Sequence, residues 1–427
     1  MTRRAARSGL VRAVNDRLAL DLLVEYGPLS RSALADRTGM SKPSVAELID
    51  RLLDAGLIEE TGIGGVGRRG PNARLYGLVH DRAFVAGAEV RGGEVTAVIT
   101  GIGGRAVAEA AITTRPRDNT ITLVRDAVVA AAADGGADLD RLHGVVVGTP
   151  GIVDPRSGEI GFAADLPTWG GGLRDLLRRE LAHPVRFENE VNLSALAEHR
   201  VGAARGQETF ALISLGEGVG MALMLDGRLV RGASGGAGEI GYLPLGDGAL
   251  APARPAEGTY AGGFQALAGA RAVRSLARQH GFDRRTATAA VRAAHAAGEG
   301  GAAFLDALVE RVAAGVAAVC TVVDPGLVVL TGPLGRVAGE LLGERLAERV
   351  GAATPVRPEV RPSSIEGNPV LRGAVLSALD AARDEVFGPT LHAPAPHWSR
   401  HPRQARDRHS SRAPVPLEGE QPMARKK

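Results

Sequence analysis

LSRSALADRTGMSKPSVAELIDRLLDAGLIEE, residues 29–60, decides how the N-terminal part of the chain is read. Ser30 is placed to cap a short helix that Gly39 ends: a Ser hydroxyl satisfies free N–H groups at a helix start, and Gly tolerates a left-handed exit. Ser41 caps the next helix, with Pro43 tolerated in its first turn. In that helix Val45, Leu48, Ile49, Leu52 and Leu53 fall at i, i+3, i+4, i+7 and i+8, which makes one buried face. Gly56 ends it. Ser41, Lys42, Pro43, Ser44 and Glu47 are left near the outer N-terminal end. The pattern is a helix-turn-helix.

The flanks extend it. Residues 14–26 carry Leu18, Leu22 and Leu23 at helical spacing, and Gly27-Pro28 stops that helix. Leu57–Glu60 and Arg74–Leu78 read as two strands around a Gly-rich loop, Thr61–Asn72, with Arg68 and Arg69 near its tip. Three helices and a ribbon make a winged helix over residues 1–80. The N-terminal end of a recognition helix meets base edges in the major groove, and small hydroxyls with a lysine suit phosphate and base contacts. Lys42 is the only lysine before the C-terminal tail. Arg68 and Arg69 are the wing's candidates for phosphate or an adjacent minor groove. A small helical domain for protein contact is the plainer alternative, and for Glu47 an ordinary solvated surface explains the residue equally well.

The 427 residues exceed one ordinary core, so two or more domains are expected. Charge is uneven although the net value is only +3. Residues 1–80 hold 12 basic and 9 acidic residues, and the tail from Gly388 holds 8 and 3, which leaves the body at −5. Basic ends on an acidic body fit nucleic-acid contact at an end. Cys320 is the only cysteine, so an intrachain disulfide is excluded. There is no apolar run of about 18 residues and no signal-peptide pattern, and the expectation is a soluble, cytoplasmic protein.

From Ala83 the pattern becomes α/β. Strands are expected at Phe84–Val90, Val95–Thr100, Val107–Ile112, Gly144–Gly148, Pro184–Glu188, Phe210–Leu215, Gly220–Leu225 and Leu327–Leu330. Helices are expected at Ile121–Ala133, Val191–Ala203, near 303–323 and 334–350, and at roughly 369–385. This makes residues 81–387 a mixed-sheet body, compatible with two similar halves. The segment 388–427, rich in Pro, Arg, Ser and His, has little to bury and is expected to be disordered.

Three stretches carry a specific resemblance: GVVVGTPGIVDPRSGEIGFAADLPTWGG (144–171), FENEVNLSALAE (187–198) and LISLGEGVGMALMLDGRLVRGASGGAGEIG (212–241). VVDPGLVVLTGPLG (322–335) adds to them. The chain resembles the ROK family (repressors, open reading frames and kinases), in particular its winged-helix repressors of the xylose-repressor type. The resemblance implies a two-lobed actin-like/sugar-kinase fold behind the winged helix, with sugar deep in the cleft and, in the kinases, ATP across it.

Measured against that family, the phosphoryl-transfer parts are altered. The first phosphate turn is Glu89-Val90-Arg91-Gly92-Gly93 where the kinases have Asp-x-Gly-Gly-Thr. A side chain at Arg91 obstructs close approach of phosphate to backbone. The second turn, Leu215–Gly220, has Glu217 where kinases carry Thr, and a carboxylate repels phosphate. Glu190 stands at the catalytic Asp position, and its extra methylene displaces the base. Catalysis is therefore not expected, and no catalytic residue is assigned.

The family's zinc site has Tyr242 at the His position and no cysteine within 246–263, so no metal and no cofactor is expected. Cys320 sits in an apolar helix and reads as core. Polar positions survive: Asn189, Glu190, Glu239, Tyr242 and Gln265 match places that hydrogen-bond sugar hydroxyls, and all retain that ability. Pro150-Gly151 and Leu166–Trp169 match other cleft segments.

The leading expectation is a homodimeric or homotetrameric transcriptional repressor on a double-stranded DNA operator, with a small sugar-like effector in the cleft. Two alternatives stay open: a sugar kinase with an added DNA-binding domain, and a constitutive DNA binder whose cleft is vestigial.

Overall fold

The computed structural model describes residues 3–64, 73–91, 93–115, 118–162, 172–245 and 262–388. The wing loop with Arg68 and Arg69, the Leu166–Trp169 segment and the tail beyond Gly388 lie outside the described residues.

The N-terminal part is built from α1 (Arg3–Tyr26), β1 (Leu29–Ser30), α2 (Arg31–Thr38), α3 (Lys42–Asp54), β2 (Ile58–Gly64) and β3 (Ala73–Leu78). The caps form as their chemistry dictates. Ser30 accepts from Ala33 N at 3.2 Å, Ser41 from Ser44 N at 3.4 Å, and Gly39 exits at φ +70°. Val45, Leu48, Ile49 and Leu52 are buried, and Leu53 is half-buried beside them. The three strands order as β1-β3-β2.

Helix α1 departs from expectation in two ways. It begins at Arg3, because an Arg/Ala-rich run without proline propagates helix readily. Its buried face is Ala19, Leu20 and Leu23, whereas Leu18 is 41% exposed. The leucines lie all round this helix, and its packing partner chooses among them.

The first lobe comprises β4 (Phe84–Arg91), β5 (Glu94–Gly101), β6 (Ala106–Thr113), α4 (Thr120–Gly135), β7 (Leu142–Thr149), a hairpin of β8 (Ile152–Val153) and β9 (Ile160–Phe162), α5 (Leu173–Leu181), β10 (Val185–Asn189) and α6 (Glu190–Val201). The second comprises β11 (Phe210–Leu215), β12 (Val219–Leu225), β13 (Arg228–Val230), α7 (Gln265–Ala268), α8 (Ala270–Gln279), α9 (Ala287–Ala296), α10 (Ala302–Val323), β14 (Leu327–Thr331), α11 (Gly332–Ala353) and β15 (Glu359–Pro362). The chain then returns to the first lobe as α12 (Pro369–Val386), which packs on β4, β7 and α6.

The lobes share one topology. The first sheet orders as β10-β7-β4-β5-β6 and the second as β13-β12-β11-β14-β15. In each, the lobe's first three strands run as an antiparallel meander and the remaining two add in parallel to the first. The compatibility with two similar halves is thus realised as a repeated five-stranded unit. The expected strands and helices of the body are all present. Helices α5, α7, α8 and α9 and strands β8, β9, β13 and β15 are not among the expected elements.

Packing does not stop at residue 80. One buried cluster joins Ala19, Leu20 and Leu23 of α1 and the faces of α2 and α3 to Val85, Val98 and Ile102 of the first sheet and to Val370, Ala374, Ala378, Leu379 and Phe387 in and after α12. Cys320 is buried in α10, and burial, with the nearby Asp324 carboxylate, raises its thiol to about 11, as suits a core side chain.

Candidate effector cleft and exposed recognition helix

Two surfaces matter. On α3, the core face fixes the helix and leaves Ser41, Lys42, Pro43, Ser44 and Glu47 exposed together at its N-terminal end. The Ser41 and Ser44 hydroxyls pair at 2.9 Å. Ser41 is thus structural as well as exposed, because it also caps the helix.

The other surface is where the two lobes meet, the place of the cleft that the resemblance implies. Asn189 ends β10 and caps α6. Its Oδ1 accepts from Val191 N at 2.8 Å and Asn192 N at 3.2 Å, while its Nδ2 donates to Gly151 O at 2.9 Å. The Pro150-Gly151 loop is therefore tied to the start of α6, where Glu190 follows.

From the second lobe, the 3-10 turn Ile240–Tyr242 brings Glu239 and Tyr242 together. Burial raises the Glu239 carboxyl above its ordinary value. Burial, and then the neighbouring Glu239, does the same to the Tyr242 phenol. The Tyr242 Oη is buried with no hydrogen-bond partner among the described residues. A buried hydroxyl left unpaired costs free energy.

Gln265 closes the wall. Its Oε1 accepts from Val219 N and its Nε2 donates to Glu217 O, both at 2.7 Å, so its amide clamps the turn between β11 and β12. A Cβ on Gly241, within the Tyr242 turn, would lie 3.6 Å from Gln265 Oε1. Glu239, Tyr242 and Gln265 are thus neighbours, and the Gln265 side chain is committed to backbone.

Glycine is required where the lobes meet. Gly235 has φ +87°, and a Cβ there would lie 2.0 Å from Val153 O in β8. The segment after β13 therefore lies directly against the first lobe.

The altered phosphate turn has an internal explanation. Glu89 is 3% exposed and accepts from Arg91 Nη2 at 2.7 Å and from Asn368 Nδ2. Asn368 also caps α12 through Val370 N and Leu371 N. Arg91, at the place where the resemblance puts a Gly of the kinases, is bonded to Glu89, and Glu217 is exposed on the second turn. These residues do not suit a nucleotide and its magnesium. Tyr242, at the imidazole's place, does not suit the family's zinc.

Sequence reasoning passed over Glu188, whose buried carboxylate accepts from Arg231 Nε at 2.9 Å, Arg231 Nη2 at 2.6 Å, Asn192 Nδ2 at 2.9 Å and Asn189 N at 3.2 Å. A charged residue ending a core strand was the available signal. Separately, a groove of about 370 Å³ opens between the winged helix and the body, lined by Ala55, Leu57, Arg82, His143, Glu385 and Val386. None of the cleft residues lines it.

Fold and site together define a two-lobed, sugar-kinase-like body with a winged helix in front of it. The ROK family profile matches residues 85–381, and a MarR family profile matches residues 8–69. The chain belongs to the ROK family.

Among curated relatives, the xylose repressor of Caldicellulosiruptor bescii is 24% identical over 239 residues, 55% of this chain and 60% of that protein. The DNA-binding transcriptional dual regulator NagC of Escherichia coli K12 is 26% identical over 244 residues, 56% of this chain and 60% of that protein. The chain thus spans three fifths of the length of these relatives. A solved ROK family transcriptional regulator, a homologue of the E. coli MLC protein, matches with a TM-score of 0.65 at 20% identity, over 88% of this chain and 97% of that one. The ROK hexokinase of Thermus thermophilus matches with a TM-score of 0.58 at 28% identity, over 70% of this chain and 99% of that one. Among the described residues no helix is long and apolar enough to cross a membrane.

Proposed function

We propose that the chain is a DNA-binding transcriptional repressor that responds to a sugar or related metabolite held in the cleft. The observation that carries this reading is the double commitment of the winged helix. One end of α3 offers Ser41, Lys42, Pro43, Ser44 and Glu47 to solvent, while the domain shares a core with the body that houses the cleft. Input and output are thereby physically joined. The names of the relatives support the reading, since both aligned proteins are transcriptional regulators.

Asn189, Glu190, Glu239, Tyr242 and Gln265 form the effector wall in this reading, with the Tyr242 hydroxyl, which has no partner among the described residues, as the position a ligand satisfies. Arg68 and Arg69 supply backbone contacts from the wing. A homodimer or homotetramer places two recognition helices on a two-fold operator. The effector acts by binding one lobe arrangement better than the other, because only differential affinity shifts an equilibrium.

The test is binding of the full chain to DNA from its own upstream region, across a panel of pentoses, hexoses and N-acetylated amino sugars. Loss of binding with one of them is expected. DNA binding that ignores the whole panel overturns the induction half. The hexokinase likeness favours a second reading, a kinase with an added DNA-binding domain; sugar-dependent ATP turnover that disappears in Glu190→Gln would establish it.

A further inference from the structure

Glu188 is one of the residues that tie the two lobes, beside Glu198 of α6, which accepts from Ser363 after β15. It lies at the end of β10 in the first lobe, whereas Arg231 follows β13 at the edge of the second sheet. The fork of Arg231 holds one carboxylate oxygen, and the other holds the backbone N–H of Asn189 and the amide of Asn192 in the first turn of α6. A guanidinium from one lobe thus sets the effector wall of the other. Gly235 against Val153 O is a second crossing on the same loop.

The connection continues away from the cleft. Arg186 shares a face of β10 with Glu188, two residues away, because side chains on a strand repeat every second residue. It donates to the Ser377 hydroxyl on α12. Burial lowers the Arg186 guanidinium while Glu188 raises it and Arg231 lowers it again, so the three charges act on one another. Helix α12 then meets the winged helix through Asp384 and Arg17.

We propose that Arg231 is a positioning residue for the cleft, fixing Asn189 through Glu188 and tying that setting to α12, and so to the winged helix, through Arg186 and Ser377. The proposal rests on the reading of the cleft as an effector site. The pair joins a half-buried guanidinium to a buried carboxylate, and breaking it leaves the Glu188 charge uncompensated in the interior. A coupling between distant sites requires an element with two arrangements, and in this proposal the pair, made or broken, is that element. A ligand that draws the lobes together or apart at Asn189 acts on this pair directly.

Hydrogen exchange on the full chain, without any sugar, reads the coupling. In Arg231→Gln, amides in the first turns of α6 and along α12 are expected to exchange about tenfold faster, with α10 and α11 at wild-type rates. Arg231→Lys keeps the charge and is expected to restore most of the protection. If Arg231→Gln does not fold, Glu188→Gln with Arg231→Gln removes both charges and is read the same way. Acceleration confined to residues 228–238, or spread equally into α10 and α11, overturns the proposal. A sugar panel without a binder, beside the expected exchange pattern, removes the effector reading alone. A sugar that binds beside a confined pattern removes this one alone.

Discussion

Arg17 on α1 and Asp384 on α12 are 367 residues apart in the sequence and 2.8 Å apart in space. The same guanidinium donates to Gly388 O at 2.6 Å and to Asp21 at 3.0 Å, and lies 5.9 Å from the Phe387 ring centroid. One arginine therefore pins the end of α12 to the first helix of the winged domain. Arg17→Ala is expected to destabilise the chain by about 2 kcal/mol, the scale for removing one member of a largely buried, hydrogen-bonded charge pair whose partner keeps some solvent. Urea unfolding checks the magnitude. Limited proteolysis of the folded protein checks the location, with new cleavage expected in the winged helix before the body.

On α3 the structure separates two roles that the sequence merges. Lys42→Ala is expected to leave the melting temperature unchanged, to weaken DNA binding across sequences and to lower the salt slope of binding by about 1. Ser41→Ala removes the helix cap and is expected to cost about 1 kcal/mol of stability as well. Equal melting temperatures for the two variants would contradict the cap geometry.

Tyr242→Phe tests the cleft. Without ligand, loss of a buried, unpaired hydroxyl is expected to be neutral or to stabilise by up to about 1 kcal/mol. The thermal shift caused by an active sugar is expected to shrink in the same variant, since ligand binding to the native state is what raises the transition. A destabilised apo variant with an undiminished sugar shift would place the hydroxyl in the core and outside the site.

Two carboxylates give opposite pH signatures. Burial opposes ionisation of Glu188, but Arg231 and Arg186, with hydrogen bonds from Arg231 and Asn192, outweigh it and hold the carboxyl below its ordinary 4.5. Its stabilisation is present above pH 4.5 and is lost as pH falls through the depressed native value. Burial raises Glu239 above the same 4.5, so its contribution is full below that pH and is lost as pH rises through the raised value. Glu239→Gln is accordingly expected to gain stability over wild type at pH 8 and nothing at pH 4. Melting curves across pH 3–8 for wild type, Glu239→Gln and Glu188→Gln check both signs, with a flatter acid limb expected for Glu188→Gln.

Local chemistry was legible in the sequence. Ser30, Gly39 and Ser41 announced helix ends, and the run Val45, Leu48, Ile49, Leu52 announced a face, because caps and periodicity are decided within a few residues. The ROK resemblance gave Asn189 and the Pro150-Gly151 loop separately as cleft positions, and the structure bonds one to the other. What was not legible depends on partners far along the chain. Helical spacing groups Leu18 with Leu22 and Leu23, whereas the side of α1 that packs on α2, α3 and β3 buries Ala19, Leu20 and Leu23. The value of Glu188 lies in Arg231, 43 residues on, and that of Glu89 in Asn368, 279 residues on. The ROK resemblance gave Gln265 a place among the sugar-binding positions, and its backbone bonds to Glu217 and Val219 are visible only in space.

The cluster running from α1 through α12 also has a consequence during synthesis. Residues 1–80 leave the ribosome before the apolar side chains from Val370 to Phe387 that share their cluster. The side of the winged helix turned toward the body must wait, uncovered, until those residues have been made. A chain interrupted before α12 keeps the contacts of α3 with α1, α2 and β2 but lacks Asp384 for Arg17 and the apolar cover that α12 brings. Unfinished copies are therefore expected to expose apolar surface, and the first eighty residues are expected to be more soluble on another scaffold when α12 comes along.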